Sequence, residues 1–180
     1  MPQQPDSAIL IEAYANTLDL DAGTDALATP AGLTTWLAQH SLISGAKVTE
    51  DAHRSYLALR AGIREHLGAH VGDTPDPHLL AAADRALAEH PLHITADGTL
   101  TPGPDLPPDR VPFAHLAIAW HTLVTTGTAI RLKRCAEHTC GWVFWDASRS
   151  RTGRWCSMQV CGSRNKSRAY EARRRAPSAR

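Results

Sequence analysis

The stretch Cys135-Ala136-Glu137-His138-Thr139-Cys140-Gly141-Trp142-Val143-Phe144-Trp145, answered by Cys156-Ser157-Met158-Gln159-Val160-Cys161-Gly162, decides how the C-terminal part of the chain must fold. Two cysteine pairs, each with four residues between its members, stand fifteen residues apart. Each pair can offer two thiolates from one tight turn, and the spacer is long enough for a hairpin that brings the turns together. The pattern predicts one tetrahedral zinc ion per chain, held by Cys135, Cys140, Cys156 and Cys161. Four thiolates close the coordination sphere and leave no position for water or substrate, so the expected ion is structural. His138 lies inside the first pair, but a complete thiolate set makes it unnecessary as a ligand. Gly141 and Gly162, each directly after a pair, suit the tight backbone beside a metal. Trp142-Val143-Phe144-Trp145 reads as a strand supplying the small core of this unit.

Outward from the cysteines the charge is sharply divided. The net charge of +1 hides 6 Lys+Arg against 15 Asp+Glu in residues 1–130, and 13 against 3 in residues 131–180. Such a split predicts two units, a regulatory domain over 1–130 and a basic finger over 131–180. The finger is the candidate for binding a polyanion. No apolar run reaches the roughly 18 residues of a membrane span, and the first ten residues lack the basic flank of a secretion signal. The expected address is the cytoplasm, where four cysteines point to metal rather than to disulfides.

The first unit reads as helices. Asp6 or Ser7 starts one that ends near Asn16-Thr17. Thr29-Pro30 starts a second, carrying Leu33, Trp36 and Leu37 to about His40. Thr49 caps a longer one through Ala52, Tyr56, Leu59, Ile63 and Leu67, and residues 77–90 repeat the period. Leu92 to Leu100 reads as a small β-hairpin turning at Gly98. Thr101 to Asp109, with four prolines, reads as a stiff loop. A last helix is expected from Pro112 to about Leu132, running straight into the cysteine region behind an apolar face of Phe113, Leu116, Ala117, Trp120, Leu123 and Val124. The fold class is therefore mainly α with a small β-hairpin, a helical domain followed by a treble-clef-like or ribbon-like zinc finger. Nine histidines fall before residue 131, and His66 and His70 share the spacing of a metal pair but belong to no HExxH motif. No nucleophile elbow or phosphate-cradling glycine loop occurs, so no enzyme is expected.

The run Cys140-Gly141-Trp142-Val143-Phe144-Trp145-Asp146, with Ser148-Arg149, Arg154-Trp155-Cys156-Ser157-Met158 and Cys161-Gly162-Ser163-Arg164, closely resembles the CGNR zinc finger. Asn16-Thr17-Leu18 and the helix around Leu33-Trp36-Leu37 resemble the ABATE domain that precedes that finger. The resemblance implies a bacterial, stress-linked transcription regulator with a DNA-binding finger. It also implies a regulatory domain able to take a small-molecule or protein effector, of unspecified oligomeric state. Ser163 replaces the signature asparagine, and serine is a nearly equivalent helix cap if capping is its role.

After Cys161 the chain offers good helix formers up to Pro177. At 100° per residue, Arg164, Arg168 and Arg175 share one face, Lys166 and Arg173 lie nearly opposite, and Ala169, Ala172 and Ala176 form a stripe that could rest on the finger. The anion contacts expected are Arg149, Arg151, Arg154, Arg164, Lys166, Arg168, Arg173, Arg174 and Arg175, with the Arg164–Arg168 face against DNA. RNA is not separable from DNA on these residues. Two other readings fit the same charges: a zinc-stabilised module that docks a protein or the chain's own acidic half, and a redox sensor whose thiolates release metal on oxidation.

Overall fold

The computed structural model describes residues 3–175. Five helices precede the finger: α1 (Asp6–Ala15), α2 (Pro30–Gln39), α3 (Glu50–Ala69), α4 (Pro77–Ala88) and α5 (Val111–Thr125). Two antiparallel hairpins interrupt them, β1 (Leu18–Asp19) with β2 (Thr24–Asp25), and β3 (Leu92–Ile94) with β4 (Leu100–Pro102). The finger adds the hairpin β5 (Leu132–Arg134) and β6 (Val143–Trp145), then α6 (Ser163–Arg175). No described helix is long and apolar enough to cross a membrane.

Local chemistry sets the starts of α2 and α3 as expected, whereas α1 begins at Asp6 after Pro5 with no side-chain cap. The Thr29 hydroxyl accepts from the Gly32 amide ahead of Pro30, and the Thr49 hydroxyl accepts from the Ala52 amide. Thr49 is itself held, since its amide and hydroxyl both donate to the Asp109 carboxylate at 3.1 and 2.8 Å. Tyr14, Tyr56 and Phe113 lie fully buried where α1, α3 and α5 meet. The Tyr14 hydroxyl donates to the Tyr56 carbonyl and the Tyr56 hydroxyl to the Asp109 carbonyl, so neither ring buries an unpaired polar group.

Two expectations about chain path fail. Strand β4 extends through Thr101 and Pro102, which pair with His93 and Leu92, so the proline-rich loop begins only at Gly103. Pro102 is tolerated because each strand of a two-stranded ribbon has a free edge. The last helix of the domain stops at Thr125 instead of continuing to Leu132. Gly127 takes φ +68°, and the amides of Gly127 and Thr128 return to the carbonyls of Val124 and Leu123, a left-handed glycine stop. A 3-10 turn over Ala129–Arg131 then leads into β5, and Val124, counted on the apolar face, is exposed.

The apolar core does not end at residue 130. Leu132 and Val143 are fully buried in the same cluster as α1, α3 and α5, with Trp145 packed against it. The cysteines form a second, small cluster with Phe144 and Trp155. Alternation along β6 thus sends Phe144 to the cysteine cluster and its neighbours to the main core, so the strand serves two cores rather than one.

His90 sits against Phe113, ring centroids 3.9 Å apart, with Nδ1 2.6 Å from the Ala86 carbonyl. That carbonyl can only accept, so Nδ1 carries the proton, and Nε2 is buried without a partner among the described residues. Burial holds the His90 pKa below its ordinary value, with the Ala86 hydrogen bond opposing. The unfolded chain therefore takes up this proton first, and stability falls as pH drops below about 6.5. His90→Gln should lower the melting temperature near neutrality yet flatten its decline from about pH 7 to about pH 5.5. An unchanged slope in the thermal melts would place the acid sensitivity elsewhere.

Candidate metal centre and basic helix

The first cysteine pair spans the turn between β5 and β6. The amides of Cys140 and Gly141 both donate to the Glu137 carbonyl at 2.9 Å, and the Cys135 amide donates to the Trp142 carbonyl at 2.8 Å. Gly141 has φ +56°, which favours glycine, and a β-carbon there would lie 2.7 Å from the end of the Leu20 side chain, which would have to shift. In the second pair Cys156 precedes, and Cys161 lies within, a wide helical turn over Met158–Gly162 that leads into α6. The Ser157 hydroxyl accepts from the Val160 amide and caps that turn. A knuckle on a hairpin with the last two ligands at a helix start is the treble-clef-like alternative, not a ribbon.

The four sulfurs lie within 4.8 Å of one another, with Cys140 Sγ 3.6 Å and Cys161 Sγ 3.7 Å from Cys156 Sγ. A tetrahedron with metal–sulfur bonds of about 2.3 Å has sulfur–sulfur edges of about 3.8 Å. No disulfide joins these cysteines. Burial, together with the crowding of neighbouring sulfurs, pushes the Cys156 thiol up and the Cys161 thiol up to about 12. Four thiolates cannot share this space alone, and a divalent cation at the centre removes the conflict. The donor set fits one tetrahedral metal ion.

Buried polar groups join the centre to the rest of the molecule. Asn16 makes a reciprocal pair with the Val143 main chain, Nδ2 donating to the carbonyl at 2.8 Å and Oδ1 accepting from the amide at 2.7 Å. The adjacent Thr17 hydroxyl donates to the Tyr14 carbonyl and accepts from Arg60, which also grips Asp25 through both guanidinium nitrogens. Arg64 spans the Ala15 and Gly141 carbonyls, and burial lowers its pKa to about 10. Arg134 bridges Glu65 and Asp73 while its guanidinium lies over Gly68, where a β-carbon would approach to 2.5 Å.

None of the next three residues stood out from spacing or composition. Lys133 is 2% exposed, and its ammonium donates to Asp146 Oδ2 at 2.8 Å and to the Arg151 and Gly153 carbonyls. Burial alone would raise the Asp146 carboxyl, but hydrogen bonds from Lys133, Ser148 and Gly153 outweigh it and hold it far below the usual carboxylate range. Glu137, 1% exposed inside the first knuckle, receives Thr139, Asn165 and Arg168. Burial again opposes ionisation, and those hydrogen bonds again hold the carboxyl low.

This network reorders the basic residues. Arg168 is bound to Glu137, and Arg164 lies 3.1 Å from Asp21 in the β1–β2 turn. Of the nine cations expected to meet a polyanion, the two named for the DNA-facing side of α6 thus have carboxylates of this chain as partners. Lys166, Arg173 and Arg174 point outward, Arg174 lying 5.8 Å over the Tyr170 ring. Arg149, Arg151 and Arg154 are exposed on the loop before the third ligand, with Arg151 at φ +55°. Ala169 and Ala172 are exposed, so the small-residue stripe does not rest on the finger; Ala176 and the side chain of Arg175 lie outside the described residues. Ser163 does not cap an amide: its hydroxyl donates to the Met158 carbonyl at 3.4 Å, and Asn165 ties the helix to Glu137 and to the Cys161 carbonyl.

Comparison with known families agrees with this geometry. A family model described as "CGNR zinc finger" matches residues 131–174. The ABATE model, described as "Putative stress-induced transcription regulator", matches residues 10–127. None of the curated proteins compared matches the chain. With its helical domain, four-cysteine centre and basic helix in that order, the chain belongs to the ABATE family and carries the CGNR zinc finger at its C-terminal end.

Proposed function

We propose that this chain is a cytoplasmic, non-enzymatic transcription regulator that binds duplex DNA through a finger built on one structural Zn2+. Closed four-sulfur coordination supports an architectural ion, because no ligand position is left for chemistry. The observation that carries the DNA reading is a set of six exposed cations, Arg149, Arg151, Arg154, Lys166, Arg173 and Arg174. No carboxylate pairs with any of them among the described residues. Arg164 and Arg168, though exposed, already have carboxylate partners in the protein, which favours the outward face of α6 for phosphate. The acidic remainder of the chain would repel DNA and confine contact to the finger end.

Anisotropy titrations at several salt concentrations test this with duplex DNA, single strand and an RNA hairpin. Lys166→Ala, Arg173→Ala and Arg174→Ala together should weaken duplex binding on the order of 100-fold near physiological salt and flatten the log–log salt slope by about three units. Arg164→Ala with Arg168→Ala should cost less affinity and more stability. Equal losses from the two sets would reduce the interface to diffuse attraction. No binding of any nucleic acid by metal-loaded protein would move the finger to the protein-docking reading.

A further inference from the structure

The junction between helical domain and finger carries a groove of about 620 Å3 whose walls come from α1, α2 and the first knuckle. Its lining includes Ile9, Trp36, His40 and Trp142, with Gln4, Glu12 and Asn16 as polar groups. Ile9 is 53% exposed and Trp142 37% exposed, so apolar surface is left uncovered in a concave place. His40 stacks on Trp36 at 4.1 Å and is fixed by the Trp36 carbonyl, making the opposite wall flat and ordered. Glu12 is the one carboxylate in the lining, which contains no lysine or arginine. Its side chain is half-buried and is met by the Gln4 amide at 2.6 Å. Burial raises the Glu12 pKa, with that hydrogen bond opposing, and no cationic side chain pairs with the carboxylate among the described residues.

We propose that this groove binds a small organic monocation, an ammonium group on an aromatic or apolar body. The ammonium pairs with Glu12, while the body covers Trp142 and Ile9. Aromatic faces beside a carboxylate are the chemistry that recognises ammonium ions, and the volume lies in the range of small-molecule sites. A second groove, lined by His66, His70, Trp120, Val124 and Ile130, has aromatic and apolar walls but no carboxylate, and makes an internal control.

Occupancy would be felt in the finger. Asn16 lines the groove and holds the Val143 main chain, and Trp142 lines it while its carbonyl receives the Cys135 amide. Binding itself does not depend on the finger taking DNA.

The test uses full-length, metal-loaded protein titrated with 2-phenylethylammonium, followed by amide and indole NMR shifts and by calorimetry. Saturable binding is expected, with the largest shifts at the Trp142 indole N–H and the Val143 amide. The neutral 2-phenylethanol and the anionic phenylacetate should bind about tenfold or more weakly, because neither supplies a cation. Glu12→Gln should weaken the amine at least about tenfold while leaving melting temperature and metal content unchanged. The proposal is overturned if the amine fails to saturate by about 10 mM, binds no better than the alcohol, is indifferent to Glu12→Gln, or shifts His66 and Trp120 instead.

Discussion

Replacing Cys156 with serine is expected to remove the metal and to unfold far more than the finger. Structural zinc in finger peptides is worth about 10–16 kcal/mol, comparable with the roughly 5–15 kcal/mol that stabilises a whole domain. Three thiolates cannot close the site, and the β5–β6 hairpin loses the turn that holds its ends. That hairpin carries Leu132 and Val143, both fully buried in the main core, so the helical domain loses packing when the finger opens. Metal analysis should fall from one zinc per chain to none. Thermal melts by circular dichroism should lose their cooperative transition, and the Val143 amide should leave its native NMR position. A reduced variant that melts cooperatively without metal would sink this account.

Asp146→Asn is expected to produce the next largest loss, about 3–5 kcal/mol, because it strands the buried Lys133 ammonium. Lys133 would keep only neutral acceptors, the Arg151 and Gly153 carbonyls at 2.6 and 3.0 Å and the amide oxygen of the substituted side chain. The loop those carbonyls belong to presents Arg149, Arg151 and Arg154, so its order depends on a charge pair it conceals. Urea unfolding gives the measurement, and the double change Lys133→Met with Asp146→Leu should recover much of the loss, since it strands no charge. A single-variant cost below about 1 kcal/mol would show that water reaches the lysine.

What could be read from the chain was what neighbours in sequence decide. Thr29-Pro30 and Thr49 start helices through contacts three residues away. The four cysteines declare their centre because a ligand set is a matter of residue type and spacing. Gly127 does not read as a stop, because the apolar period from Phe113 to Val124 runs up to it; its φ of +68° ends the helix. The role of Lys133 was not readable, since a lysine two residues before a ligand looks like surface charge until Asp146 is seen opposite. Helical angles put Arg164 and Arg168 on one face but say nothing of the carboxylates they meet. Their partners Asp21 and Glu137 lie 143 and 31 residues away, and charge patterning carries no information about such pairings. Asn16-Thr17 shows the converse: residues quoted for a family likeness turn out to be the ones that hold the Val143 strand and Arg60.

The pairing of Asn16 with Val143 joins positions 127 residues apart. Closing a loop of that length costs about 4 kcal/mol in chain entropy beyond a constant term. During synthesis, α1 is made 127 residues ahead of the strand that completes its contacts. The apolar side of α1 can meet α3 and α5 before then, so what waits for the strand is the polar tie at Asn16, the link between helical domain and finger.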